Sequence, residues 1–179
     1  NEVELVAVRK CLTNRLHEFA AGLASGRSDW VPQSAQPGPG QEKPALRNLY
    51  DMPSRNWITD AYDEALAQGD LKELTADQRS GLASMYTQIK YMAKLNAEEQ
   101  QLGAALAPLQ FNPPLSNAER NSLIGVIARL DQVNGLMVLI SRQTFRIYRD
   151  LGYTDTPQEI AEFRRSGWWE QNVADYRRR

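Results

Sequence analysis

The chain contains 179 residues, 42% of them hydrophobic and 24% charged, and its formal net charge is −1 at pH 7. This length suffices for one domain with a hydrophobic core, and the near-neutral charge excludes the overall basic field typical of nucleic-acid-binding proteins. A single cysteine excludes an internal disulfide, and no uninterrupted apolar run reaches the ~18 residues that would span a bilayer.

The first predicted element is a helix over residues 2–23. No N-cap signal precedes it, and the chain does not begin with methionine. These two features predict that the helix continues from a segment upstream of Asn1. Its apolar residues recur at spacings of three and four, as in one buried helical stripe: Leu5, Val8, Leu12, Leu16, Phe19 and Leu23.

A proline- and glycine-rich stretch over residues 25–53 predicts an exposed crossover loop. Ser54 is the predicted N-cap of the second helix, which runs to about Gln68 and stops at Gly69. The apolar face predicted for this helix contains Trp57, Ile58, Ala61, Tyr62, Ala65 and Leu66.

Two capping boxes open the two longest predicted helices. Thr75 with Gln78 begins a helix that ends near Pro108, and Ser116 with Glu119 begins one that ends at Gly152. The apolar stripe of the first contains Leu82, Met85, Ile89, Met92, Leu95, Leu102 and Leu106. That of the second contains Val126, Leu130, Val133, Met137, Ile140, Thr144, Ile147 and Leu151, widened by Leu123, Ile127, Leu136 and Tyr148.

A third capping box at 156–159 predicts a short helical tail. No segment shows sustained strand alternation, so the predicted fold is all-α: an antiparallel bundle of about four main helices with a short helical C-terminal tail. The bundle domain is predicted over residues 1–152, and the tail over 153–179.

The titratable residues predict no catalytic, metal or cofactor site, and the chain is predicted not to be an enzyme. His17 is the only histidine, which is too few for the usual zinc or di-metal sites, and we expect it at the rim of the bundle. Cys11 is expected to be a small buried hydrophobic residue rather than a reactive thiol. The carboxylates of Asp60, Asp63, Glu64, Glu98 and Glu99 are all expected on solvated faces.

Two groups of residues are predicted to contact a partner. Arg142, Arg146 and Arg149 share one face of the longest helix and could meet phosphates or acidic groups, although solvated helices often carry such a face. Aromatic side chains accompany arginines near the C-terminus, where the tryptophans either contact a partner or dock the tail on the bundle: Trp168, Trp169, Tyr176, Arg177 and Arg178.

The chain resembles a family of uncharacterised bacterial single-pass inner-membrane proteins. The resemblance covers roughly residues 1–150 and is carried by "CLTNRLHEFAAGL", the proline-rich loop, "RNLYDMPSRNWITDAYDEALAQGDLKELTADQRSGLASMYTQI" and "LDQVNGLMVLISRQ". It implies a transmembrane helix before the helical domain, with that domain on the periplasmic side. It implies no activity and no catalytic residues.

These observations together predict a non-enzymatic interaction domain that needs no cofactor. We expect a tether to a bacterial inner membrane through a helix upstream of Asn1, and a protein partner in a membrane assembly of which this chain is a scaffold or auxiliary subunit. The alternative is a periplasmic helical bundle that senses a ligand for a receptor.

Overall fold

The computed structural model describes residues 2–26, 59–107, 109 and 114–153; within the first helix it describes the side chain of Arg9 and those from Leu12 onward. These residues form four α-helices and one short 3₁₀ turn, with no strand among them. The helices are α1 (Glu2–Ser25), α2 (Asp60–Gln68), α3 (Ala76–Ala105) and α4 (Asn117–Asp150), and the 3₁₀ turn is Asp70–Glu73. The all-α prediction is confirmed for this part of the chain.

Both predicted capping boxes within the described residues are confirmed. The Thr75 hydroxyl accepts a hydrogen bond from the Gln78 N–H at 3.2 Å, and the Gln78 side chain accepts one from the Thr75 N–H at 2.9 Å. Ser116 and Glu119 make the same reciprocal pair at the start of α4. Hydrogen bonds from Ser116 also hold the pKa of Glu119 below its usual value of 4.5. Each cap stabilises its helix by ~1 kcal/mol.

The second helix begins later than predicted. α2 starts at Asp60 with Thr59 as its N-cap residue, whereas the predicted cap, Ser54, lies outside the described residues. Its predicted end is confirmed, because Gly69 adopts a φ of 77° and its N–H bonds back to the carbonyls of Ala65 and Leu66. That left-handed conformation strains any residue with a Cβ, which explains the glycine. Gly152 ends α4 in the same way, at a φ of 84°.

α4 is the central helix of the described structure, because it packs against both α1 and α3. Its predicted apolar stripe forms much of the core. One apolar cluster contains Leu16, Phe19, Leu23, Leu106, Ile127 and Leu130. A second cluster contains Met92, Leu95, Val133, Met137 and Ile140. Two buried polar residues lie among these apolar side chains: Glu99 on α3, between the two clusters, and Asn134 on α4, next to Val133 of the second cluster.

Polar and aromatic contacts join the remaining described elements. The ring of Tyr62 on α2 stacks on Tyr86 of α3 with centroids 4.0 Å apart. Lys90 on α3 donates to Asp63 on α2 at 2.7 Å. Between α3 and α4, Thr144 donates to Gln88 at 2.7 Å. α2 therefore attaches to the outside of α3 through side chains, and none of its residues is buried.

α4 could span a membrane by its length and average hydropathy, although no uninterrupted apolar run in the sequence is long enough to do so. Its 34 residues are long and apolar enough to cross a membrane, judged by length and average composition alone. This is weak support for membrane association, because the core helix of a soluble protein meets the same criterion. Arg129, Asp131 and Asn134 lie within its length, and polar groups of that kind are costly inside a bilayer.

Candidate functional site

The predicted arginine face, defined as Arg142, Arg146 and Arg149, lies exposed on the last turns of α4. Arg146 forms an ion pair with Asp150 at 3.9 Å, in which the two side chains are 82% and 72% exposed. Such an exposed pair contributes only ~0–1 kcal/mol. The guanidinium groups are therefore accessible to an external anion.

One apolar side chain extends the arginine face. Leu139 is 51% exposed, which is unusual for a leucine on the helix that forms the centre of the core. Positions 139, 142, 146 and 149 are separated alternately by three and four residues, so they share one side of α4. This side can offer an apolar contact followed by three cations.

The other predicted contact residues are not placed by the structure. Trp168, Trp169, Tyr176, Arg177 and Arg178 lie outside the described residues. Their contact role stays a prediction, as does the short helical tail.

The most unusual chemical feature of the described residues is a buried polar layer, defined as Arg9, Glu99 and Asn134. Arg9 donates from Nη1 to Glu99 Oε1 at 2.5 Å and from Nη2 to Glu99 Oε2 at 3.0 Å. Nη1 also donates to Asn134 Oδ1 at 2.7 Å. The fork-to-carboxylate geometry is the strong, directional form of an ion pair. The three residues come from α1, α3 and α4, so the polar layer joins all three helices.

Burial of the polar layer is essentially complete. Arg9 is 1% exposed, and Glu99 and Asn134 are 0% exposed. Moving charges out of water costs several kcal/mol per ion, and the pairing has to offset that cost. The Nε of Arg9 has no hydrogen-bond partner among the described residues. With no access to solvent, these groups cannot meet a substrate in the conformation seen, so the polar layer is internal to the domain.

The prediction that both Glu98 and Glu99 lie on a solvated face is wrong for Glu99. Glu98 fits that expectation, since it is 34% exposed and accepts a hydrogen bond from Arg129 at 2.6 Å. Glu99 is fully buried, because consecutive helical residues point about 100° apart and Glu99 falls on the core side of α3. The other carboxylates, Asp60, Asp63 and Glu64, are exposed as expected.

A signal for the polar layer was present in the sequence. The apolar stripe of α3 continues from Met92 and Leu95 to Leu102. Position 99 lies four residues after Leu95 and three before Leu102, so it falls on the same face of the helix. Arg9 fills the corresponding position between Leu5 and Leu12 on α1, and Asn134 follows Val133 on α4. Polar residues at core positions of three separate helices indicate mutual pairing, because a lone buried charge is too costly.

His17 is exposed on α1, away from the core, which agrees with the expectation that it is not a buried ligand. Its side chain is 63% exposed, and its Nε2 lies 3.1 Å from Asp131 Oδ2. The side chain of Cys11 is outside the described set, so its packing role stays a prediction. Within the described residues, no group of three or more His, Cys, Asp or Glu side chains could hold a metal ion.

A groove of about 540 Å³ lies where the start of α3 meets the end of α4. Its lining mixes polar and apolar groups, and includes Asp77, Ser80 and Ser84 from α3 and Asp150 and Leu151 at the end of α4. Gly81 permits this approach, because a Cβ there would lie 2.7 Å from a methyl carbon of Leu151. The volume falls within the usual range for small-molecule sites.

Comparison with protein-family models, with curated proteins and with solved structures finds no match for this chain.

Proposed function

We propose that this chain is a non-enzymatic interaction domain, which acts as a scaffold or auxiliary subunit of a bacterial membrane protein assembly. The arginine face and Leu139 form the described part of its contact surface. The C-terminal aromatic and arginine residues extend that surface.

The observation that carries this proposal is the exposure of the arginine face. Three guanidinium groups and a half-exposed leucine occupy one side of a helix whose opposite side is buried. Arginine is the cation best suited to pairing with carboxylate or phosphate groups, and protein interfaces are enriched in it. An acidic partner surface that covers the arginine face would complete the charge pairing and also bury Leu139.

We further propose that the four helices form an antiparallel bundle. Side-chain pairs between α3 and α4 support this arrangement, because Gln88 pairs with Thr144 whereas Glu98, ten residues later, pairs with Arg129. Pairs between α1 and α4 support it too: Arg9 contacts Asn134, and His17 contacts Asp131. In such a bundle the arginine face lies at the same end as the start of α1.

A transmembrane helix upstream of Asn1 would tether the domain to the inner membrane, with the domain on the periplasmic side. The bundle arrangement proposed above supports a membrane-proximal role for the arginine face, since α1 would then approach the bilayer beside it. In this proposal α4 is the core helix. Its apolar composition serves packing against α1 and α3, and Arg129 and Asp131 on its surface pair with Glu98 and His17.

Affinity purification from native membranes tests the contact surface. In the full natural protein, Arg142→Gln with Arg149→Gln should reduce recovery of the co-purified partners at least ten-fold by quantitative mass spectrometry. The matched control is Lys72→Gln with Lys94→Gln, which removes two exposed cations elsewhere on the described surface and should leave recovery unchanged. Equal recovery from both variants would contradict the proposed contact role.

A second measurement addresses the tether and the side of the membrane. The full natural protein should remain in the membrane pellet after alkaline carbonate extraction. Protease added to spheroplasts should cleave the helical domain, whereas protease added to inverted inner-membrane vesicles should not. Extraction of the protein into the carbonate supernatant would contradict the tether, and cleavage in inverted vesicles alone would contradict the periplasmic side.

The groove at the start of α3 favours the alternative function of a ligand-sensing bundle. A small polar molecule could occupy about 540 Å³ between Ser80, Ser84 and Leu151. A thermal-shift screen of polar metabolites would test this function with Ser84→Leu as the control, because a leucine there would fill the groove. A metabolite that raises the Tm of the natural chain but not of Ser84→Leu would support the sensor.

A further inference from the structure

We propose that the polar layer of Arg9, Glu99 and Asn134 is a register lock, which selects one axial position of α1 against α3 and α4. The layer holds α1 at a single level because only that level gives Arg9 both oxygens of Glu99 and the amide oxygen of Asn134. A buried polar group that fixes the register of packed helices is the best-attested use of such groups.

The apolar contacts of α1 discriminate weakly between registers. Leu12, Leu16, Phe19 and Leu23 are buried at alternating spacings of four and three. If α1 slides by one turn, each of these side chains moves to the level that its neighbour has left. The stripe therefore presents apolar groups to the same surface of α4 in either register, and its packing differs only in detail.

The polar layer, in contrast, discriminates strongly between registers of α1. A one-turn slide moves Arg9 by about 5.4 Å, which is further than a hydrogen bond can stretch. It also brings an apolar side chain to the level of Glu99, which would leave a fully buried carboxylate without Arg9. Because this slide separates a buried ion pair, the population of the shifted state should be lower by on the order of 10³-fold.

A second polar position lies one turn away on the same side of α3. Asn96 precedes Glu99 by three residues and is 8% exposed, and its Oδ1 has no hydrogen-bond partner among the described residues. A slid α1 would bring the Arg9 guanidinium to a neutral amide oxygen there instead of a carboxylate. The difference in charge between Glu99 and Asn96 therefore decides which level Arg9 occupies.

Two variants test the lock through the position of α1 rather than through stability alone. The first replaces the layer with apolar groups: Arg9→Met, Glu99→Leu and Asn134→Leu. The second exchanges the two polar positions on α3: Asn96→Glu and Glu99→Asn. The readout is the distance between spin labels on cysteines introduced at the exposed positions Ala21 on α1 and Gln143 on α4. Cys11, the only natural cysteine, is replaced by serine in every chain measured, including the reference.

The reference chain should give one distance. The apolar variant should keep its helical content and its Tm, and it should give at least two distance populations. The exchange variant should give one population, shifted from the reference by about 4.5 Å because three helical residues span that length. A reference-like single distance in either variant would overturn the lock, since apolar packing alone would then set the register. Failure of either variant to fold would also overturn the register lock. The proposal requires that the polar layer sets the position of α1 without being needed for folding, and that α1 can move to the new position of the carboxylate.

Discussion

Glu98 and Glu99 are consecutive residues of α3, and each pairs with an arginine from another helix, yet the two ion pairs differ in almost every physical respect. Glu98 and Arg129 are 34% and 44% exposed, so water and salt screen their attraction. Glu99 and Arg9 are 0% and 1% exposed, so each charge depends on its protein partners. Burial, and not the presence of a pair, therefore decides how much a charge contributes to the stability of the fold.

The largest expected effect comes from removing the arginine of each pair. Arg9→Met leaves the carboxylate of Glu99 buried without its main cation and should lower the free energy of unfolding by ~3–5 kcal/mol. Arg129→Met leaves Glu98 partly in water and should cost no more than ~1 kcal/mol. Urea unfolding followed by circular dichroism measures both values. Equal losses from the two substitutions would contradict the dependence of each pair's contribution on burial.

An intermediate effect is expected at the third member of the polar layer. Asn134→Ala removes the amide oxygen that accepts from Arg9 Nη1 at 2.7 Å, and a lost hydrogen bond to a charged group costs ~1.5–3 kcal/mol. Asn96→Ala is the matched control, because the Oδ1 of Asn96 is buried without a partner among the described residues. A larger loss from Asn96→Ala than from Asn134→Ala would contradict the central position of Asn134 in the layer.

The smallest expected effect concerns the exposed ion pair between Lys90 and Asp63 and its dependence on pH. The hydrogen bond from Lys90 lowers the pKa of Asp63 from its usual value of 3.8. A depressed carboxyl pKa adds stability above the unfolded-state pKa, and this contribution disappears as the pH falls through the lower native pKa. In Lys90→Gln, the Asp63 pKa measured by NMR titration should rise toward 3.8. A pKa that stays in place would show that Lys90 is not the cause.

Much of the helical framework could be predicted from local sequence signals. The capping boxes at Thr75 and Ser116 and the stops at Gly69 and Gly152 involve residues within a few positions of each other, so a single stretch of sequence contains all the necessary information. The apolar stripe of α4 was equally predictable, because its periodicity extends over many turns. The start of α2 was not, since Ser54 matches the N-cap preference, whereas Thr59 occupies the N-cap position without a side-chain capping hydrogen bond.

The polar layer could not be predicted by the same route, because Arg9 is separated from Glu99 by 90 residues and from Asn134 by 125. Each of these residues considered alone resembles a surface residue. Only the packing of three helices brings them together, and the spacing of the apolar residues around them is the one trace in the sequence. The candidate contact surface was predictable only in part: the arginine face is exposed as its pattern indicates, while the surface that it would meet belongs to another molecule.

The most direct test of the contrast between the two pairs is one side-by-side measurement of Glu98→Gln and Glu99→Gln. Both substitutions remove one negative charge and keep nearly the same shape, at adjacent positions of the same helix. We expect Glu99→Gln to lower the free energy of unfolding by ~3–5 kcal/mol and Glu98→Gln to lower it by ~1 kcal/mol or less. Equal losses, or a larger loss from Glu98→Gln, would contradict this expectation.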